Sequence, residues 1–138
     1  MAGQRELHDH FFKEAKRNGF RSRAAYKLSE IDDKRKIFSK GDTVLDLGAA
    51  PGSWLQIASK RVGKKGVVIG VDLQEIDAFD DNQIHTLVCD VNELHIEMMR
   101  EFLPRDMDSF DVIMSDMAPK TTGTVSYTHL TLPTILLV

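Results

Sequence analysis

Val44-Leu45-Asp46-Leu47-Gly48-Ala49-Ala50-Pro51-Gly52-Ser53-Trp54 passes from an apolar, strand-like segment through a glycine-bounded turn into a helix start. In that order a parallel strand offers its carboxyl end to a nucleotide-type ligand, and the next helix opens on the same side. Gly48 and Gly52 keep the turn clear of side chains and permit positive φ. The segment is not the G-x-G-x-x-G of dinucleotide binders, because Ala50 stands at the second glycine and blocks close backbone approach to a pyrophosphate. A phosphate-binding loop ending in Gly-Lys-Ser/Thr is also absent, which argues against a nucleoside-triphosphate site of that type.

Outward from this stretch the pattern repeats. Thr43–Leu47 reads as a strand after the turn Lys40-Gly41-Asp42, and Trp54–Val62 reads as a helix with Leu55, Ile57, Ala58 and Val62 on its apolar side, ended by Gly63-Lys64-Lys65-Gly66. Val67–Val71 is almost uniformly apolar and stops at Asp72, as a central parallel strand covered on both faces does. Ile84–Cys89 is a third strand before Asp90, Leu94–Phe102 a helix closed by Pro104, and Phe110–Ser115 a fourth strand before Asp116. Strand and helix alternate, so the fold class is α/β, a mainly parallel sheet with flanking helices. Upstream, Asn18-Gly19 marks a turn, and Ser22 is the expected N-cap of a helix that buries Ala25, Leu28 and Ile31. Arg23 and Lys27 share a face of that helix beside Tyr26, and like charges at this spacing cost about 0.2–0.5 kcal/mol unless an anion sits between them.

With 138 residues, 42% of them hydrophobic, the chain has the size of one domain with a real core. It has no apolar run of membrane-span length and no apolar signal-peptide centre, so a soluble, cytoplasmic protein is expected. The formal net charge of −3 conceals an asymmetry. Residues 1–40 carry eleven Lys/Arg against six Asp/Glu, a balance of +5, which leaves −8 on the remaining 98 residues. A basic arm on an acidic body suits a polyanion docking on one side. Cys89, the single cysteine, is read as a small core residue, as are Met98, Met99 and Met114. His8 and His10 lack a third ligand, so no metal is expected.

Four strands each lead into an aspartate: Asp46, Asp72, Asp90 and Asp116. Gathered at one sheet edge, they form a site. Asp72 can accept both hydroxyls of a ribose, and Asp90 can accept from the exocyclic amine of an adenine flanked by apolar side chains. An acidic cleft of this kind favours a ligand with ribose, adenine and a cationic centre but no phosphate, features that S-adenosylmethionine combines. NAD or ATP would bring negative charge toward Asp46, Asp72 and Asp116.

Three segments, Gly19-Phe20-Arg21-Ser22-Arg23-Ala24-Ala25-Tyr26-Lys27-Leu28, Asp46-Leu47-Gly48-Ala49-Ala50-Pro51-Gly52-Ser53-Trp54 and Met114-Ser115-Asp116-Met117-Ala118-Pro119, together resemble an FtsJ/RrmJ-type ribose 2′-O-methyltransferase. The resemblance runs from about His8 to Thr124 and implies a Rossmann-like, S-adenosylmethionine-dependent methyltransferase fold. It implies that Asp46, Gly48, Gly52, Ser53 and Trp54 belong to the cofactor loop, that Asp72 binds the cofactor ribose and Asp90 its adenine, and that Asp116 lies beside the methyl group and the acceptor. Lys27 would be the first lysine of the family's Lys-Asp-Lys-Glu catalytic set. Ser53 stands where the family usually has a second glycine.

The substrate implied is a uridine ribose of large-subunit (23S) ribosomal RNA, with a transfer-RNA ribose as near neighbour. The 2′-hydroxyl that distinguishes RNA from DNA would be the acceptor, and a positioned lysine would take or polarise its proton. Lys13, Lys16, Arg17, Arg21 and Arg23 of the basic arm would hold RNA phosphates. Neither DNA nor a membrane is an expected partner, and the expected species is a monomer. From about Val125 the sequence turns uncharged and rich in Thr, Leu and Val, and no lysine follows Lys120. The expected organisation is therefore an incomplete methyltransferase domain over 1–124 and a non-family tail over 125–138. With the second catalytic lysine and the glutamate unmatched, weak cofactor binding and turnover near background are expected. The alternative reading is a non-catalytic RNA-binding fragment.

Overall fold

The computed structural model describes residues 18–116. The start of the basic arm, with Lys13, Lys16, Arg17, His8 and His10, and the segment containing the boundary near Thr124 lie outside the described residues. The elements are helix α1 (Ala24–Arg35), strand β1 (Thr43–Leu47), helix α2 (Ser53–Val62), strand β2 (Val67–Asp72), strand β3 (Ile84–Val88), two 3₁₀ turns (Val91–Glu93 and Ile96–Met99) and strand β4 (Val112–Ser115). The strands form one parallel sheet in the order β3-β2-β1-β4, as the alternating pattern required.

Parallel register places Asp46 beside Gly70 on one side and Met114 on the other, and successive residues of each strand face opposite sides. Val44, Val68, Val112 and Met114 therefore build one core with Ala25 and Leu28 of α1 and with Trp54, Leu55, Ala58 and Val62 of α2. Leu45, Leu47, Ile69, Val71 and Ile113 build the other, covered by Leu94, Met99, Leu103 and Phe110. Every residue of β1 is buried, the polar Thr43 and Asp46 included, so its sequence does not alternate between apolar and polar as a half-exposed strand would.

Gly70 sets how closely α2 approaches the sheet. A Cβ at this position would lie 2.5 Å from Leu55 Cδ1 and 3.0 Å from the Ala49 Cβ, so only glycine admits the contact. The two helices are joined by Arg61 of α2, which donates to both Asp32 and Asp33 of α1 at 2.9 Å. Asp32 is buried, and its second oxygen accepts from the Phe38 backbone N at 3.0 Å, so it fixes the exit of α1 as well.

Several local expectations are corrected. Leu94–Phe102 is not an α-helix. Asp90 caps a short first turn by accepting from Asn92 N, and Leu94 and His95 then take extended conformations. Leu94, Met99 and Leu103 are all buried by this path, so tertiary burial outweighs the helical spacing. Ser22 does not cap α1: Arg23 stands at the N-cap with αR geometry and no side-chain bond. The Ser22 hydroxyl pairs instead with that of Ser53 at 2.7 Å. Asp32, rather than Ile31, completes the buried side of α1 with Ala25 and Leu28. Met99 and Met114 are core residues, whereas Met98 is 44% exposed.

Candidate cofactor and catalytic site

The loop after β1 is held by the strand beside it. Gly48 N and Ala49 N both donate to Val71 O, at 2.8 and 3.1 Å, and Ala50 N donates to Asp72 Oδ2 at 3.0 Å. Gly48 and Gly52 have φ of 76° and 113°, values that favour glycine. Asp72 Oδ1 accepts from Gln74 N at 2.8 Å, so each oxygen has one backbone donor. A carboxylate has about four lone-pair positions, which leaves capacity for the two hydroxyls of a ribose. Asp90 accepts from Asn92 N through Oδ1 at the mouth of the next strand.

Asp46 is not at a strand end. It lies inside β1, which continues to Leu47, and is only 1% exposed. Its Oδ2 is buried with no hydrogen-bond partner among the described residues. Burial first, then the charges of Asp116 and Asp72, push its carboxyl well above the usual carboxylate range. A buried acid with one unpaired oxygen, in the field of two other carboxylates, is electrostatically suited to a cation and unsuited to a phosphate.

Lys27 and Asp116 are 89 residues apart in sequence, yet Lys27 Nζ donates to Asp116 Oδ1 at 3.1 Å. Trp54 accounts for the placement of the lysine. Its ring is buried, its Nε1 donates to Ala24 O at 2.9 Å at the start of α1, and Lys27 Nζ lies 5.9 Å from the ring centroid. Trp54 therefore fastens α1 to α2. Ser53, also buried, bonds to Ser22.

Of the described arm residues, Arg23 is exposed, while Arg21 has three backbone carbonyl acceptors and an aromatic ring against its guanidinium. Cys89 is half-buried and its Sγ donates to Asp90 O at 3.2 Å. Burial pushes its thiol up, and the carboxylates of Glu93 and Asp90 act in the same direction, which is contrary to what a nucleophilic thiolate needs. Among the described residues no three His, Cys, Asp or Glu side chains gather in a metal-binding group, and no helix is long and apolar enough to cross a membrane. Gln56 and Phe79 were not anticipated at the site, because neither belongs to a motif with a local signature.

The sequence from Phe20 to Leu137 matches the family of FtsJ-like methyltransferases. The chain belongs to that family. The matched span continues past Thr124, where the composition changes. Ribosomal RNA large subunit methyltransferase E of Halorubrum lacusprofundi is 46% identical over 123 residues, covering 88% of this chain and 45% of that protein. The protein of the same name from Bdellovibrio bacteriovorus is 48% identical over 118 residues, covering 83% of this chain and 58% of that protein. The chain thus spans about half the length of the curated relatives it matches. A solved structure described as a ribosomal RNA methyltransferase from Plasmodium falciparum superposes with a TM-score of 0.62 at 32% identity, covering 76% of this chain and 60% of that one. The FtsJ-like chain has the Rossmann-like methyltransferase fold, and the methyl donor that accompanies this family is S-adenosylmethionine.

Proposed function

We propose that this FtsJ-like chain takes part in methylating the 2′-hydroxyl of a uridine ribose in large-subunit ribosomal RNA. The observation that carries the reading is the Lys27–Asp116 pair at 3.1 Å, with Lys27 Nζ 5.9 Å from the ring of Trp54, which follows the 48–53 loop that we read as the cofactor loop. Gly48 would admit the cofactor to the backbone, Gly52 would shape the loop through its positive φ, Asp72 would hold the cofactor ribose and Asp90 its adenine, and the acidic set Asp46, Asp72 and Asp116 would face its cationic portion. When bound, S-adenosylmethionine supplies an activated methyl group on a sulfonium.

The protein's own task is to prepare the acceptor. A ribose hydroxyl is a poor nucleophile at neutral pH, so a group within hydrogen-bond reach must polarise or take its proton. Lys27 Nζ is that group, and Asp116 fixes its position by accepting from it. Trp54 holds α1, and with it Lys27, at the correct height over the sheet edge. Such fixed orientation is itself a large part of catalysis. Arg23 and the arm residues Lys13, Lys16 and Arg17 would hold RNA phosphates, and binding would weaken steeply with salt. The expected setting is the cytoplasm and the expected species a monomer.

The test is transfer of labelled methyl from S-adenosylmethionine to a large-subunit ribosomal RNA transcript, followed by alkaline hydrolysis. A 2′-O-methyl group removes the hydroxyl that alkali needs, so the label should be recovered in an alkali-resistant dinucleotide. Label recovered in a modified base, or no saturable binding of the cofactor by calorimetry, would refute the reading.

A further inference from the structure

The Gly19–Ser22 segment joins the basic arm to α1 and is fastened to the cofactor loop and α2. Gln56 Nε2 donates to Gly19 O at 2.9 Å, Arg21 N donates to Gln56 Oε1 at 2.8 Å, and the Ser22 and Ser53 hydroxyls are 2.7 Å apart. Arg21 then reaches across to a second loop, residues 73–83 between β2 and β3. Its Nη1 donates to Pro51 O at 3.0 Å and to Asp77 O at 2.7 Å, and its Nη2 donates to Ala78 O at 2.7 Å. The guanidinium lies 3.6 Å from the centroid of the Phe79 ring. Phe79 in turn covers Gly52: a Cβ at Gly52 would be 2.5 Å from Phe79 Cζ and 3.3 Å from Arg21 Nη1.

The guanidinium is a planar fork of donors with no acceptor, and it stacks on aromatic faces. An arginine that grips RNA phosphate keeps this fork free, whereas here three carbonyls and a ring already occupy it. Asp77 and Ala78 are exposed and lie in a stretch without strand or helix, where water could serve their carbonyls; bonding them to Arg21 instead ties that stretch to Pro51 and the loop after β1. The 73–83 loop has anchors of its own, since Ile76 is buried and Ser59 Oγ donates to Asp81 Oδ2 at 3.0 Å. Loss of Arg21 would therefore loosen the 77–79 stretch and the cofactor loop locally while the sheet stays intact.

We propose that Arg21 is a positioning residue of the cofactor site: it clamps Pro51 and the 77–79 stretch, with Phe79 over Gly52, and so fixes the shape of the 48–53 loop. The proposal rests on the cofactor reading of that loop, and it assigns Arg21 to the cofactor rather than to RNA. The clamp also ties the arm directly to the cofactor loop.

Arg21→Ala, Arg21→Lys and Phe79→Leu, each in the full chain, test it with three measurements. Amide hydrogen exchange without ligand should accelerate in 48–53 and 76–80 for Arg21→Ala and stay unchanged in the strands. Affinity for S-adenosylmethionine should fall about tenfold, as when a charge-assisted anchor of a binding loop is lost. Lysine should not restore it, because one point charge cannot serve three carbonyls, while added methylguanidinium should restore part of it. RNA affinity and its salt dependence should not change.

Unchanged exchange at 48–53 overturns the clamp, whatever the cofactor does. Unchanged cofactor affinity with weaker RNA binding, and a salt slope reduced by about 0.9 for the lost phosphate contact, makes Arg21 an RNA ligand instead. If Arg21→Ala unfolds the chain, Phe79→Leu decides, and wild-type cofactor affinity in that variant overturns the proposal. Absence of cofactor binding by the unaltered chain overturns the cofactor reading beneath it.

Discussion

Asp46→Asn removes an acid that the fold buries without a partner for Oδ2, and the consequence is a dependence of stability on pH. In the unfolded chain this carboxyl loses its proton near the ordinary aspartate value of about 3.9. In the folded chain burial, Asp116 and Asp72 hold its pKa well above that value, so the native state keeps a proton that the unfolded state has released. As pH rises from about 4 toward the folded pKa, this group favours unfolding by about 1.4 kcal/mol per pH unit. The contribution stops growing once the folded form also ionises. Asparagine cannot titrate, so its amide adds an offset that pH does not move.

Urea unfolding of both proteins, followed by fluorescence of the buried and only tryptophan, Trp54, supplies the assay. Measured at about pH 4.5, 5.5 and 6.5, the stability of the variant minus that of the wild type should climb with pH, by at most about 1.4 kcal/mol per unit. Other groups titrate alike in both proteins and cancel. A difference that stays flat across this window would show that Asp46 titrates normally, and the assignment of an orphaned, protonated acid would be wrong. The same acid links to the ligand, since a bound cation favours its ionised form. Calorimetric titration with S-adenosylmethionine in buffers of different ionisation heat should then show proton release by the wild type and none by Asp46→Asn.

Asp32→Ala should cost about 2–4 kcal/mol in denaturant unfolding, because it removes a buried partner of Arg61 and strands the Phe38 amide. Asp33→Ala, at the exposed end of the same bridge, should cost less than about 1 kcal/mol, and equal losses would contradict the burial argument. Gly70→Ala forces a Cβ to within 2.5 Å of Leu55 Cδ1 and should destabilise by about 1–3 kcal/mol; a thermal midpoint like that of the wild type would mean that α2 can retreat without cost. Lys27 and Asp116 are each 44% exposed, so Lys27→Met should leave stability within about 1 kcal/mol of the wild type. Whatever methyl transfer the unaltered chain supports in the RNA assay should drop to the level of a protein-free control for the same variant, and a loss of folding in step with activity would deny Lys27 its chemical role.

The strands were legible because parallel strands covered on both faces cannot hide their apolar character. Val67–Val71 and Val44–Leu47 announce themselves even without alternation. Elements whose form is decided by distant contacts were less legible. The spacing of Leu94, Met98, Met99 and Phe102 reads as a helix, but the second core needs Leu94, Met99 and Leu103 at positions that a regular helix does not serve, and Met98 is left outside. Ser22 reads as a cap by local rules, yet its hydroxyl has a better-placed partner in Ser53, 31 residues on. Asp46 groups in sequence with three strand-end acids although the strand read as Thr43–Leu47 already contains it, and the register against Gly70 and Met114 fixes it as interior.

The site divides along the same line. Lys27 and Asp116, and the glycines of the loop, could be named from motifs because family resemblance carries their spatial pairing along with their identity. Charge alone carries no such information. Arg21 and Arg23 are two residues apart in a basic run and look equivalent, but Arg23 is exposed while Arg21 turns inward to carbonyls 30 to 57 residues away. The loop it contacts, Leu73 to Gln83, is polar and acidic in sequence and carries no recognisable motif. The difference lies in placement: Arg21 is on a segment bonded to Gln56 and Ser53, which brings its guanidinium within reach of Pro51 O, Asp77 O and Ala78 O. A basic arm can therefore be counted from sequence, but its members separate into those that face a partner and those that hold the protein only when each guanidinium's acceptors are known. On that criterion Arg23 is the exposed guanidinium of the two, and Arg21 is the one committed to Pro51 and the 77–79 stretch.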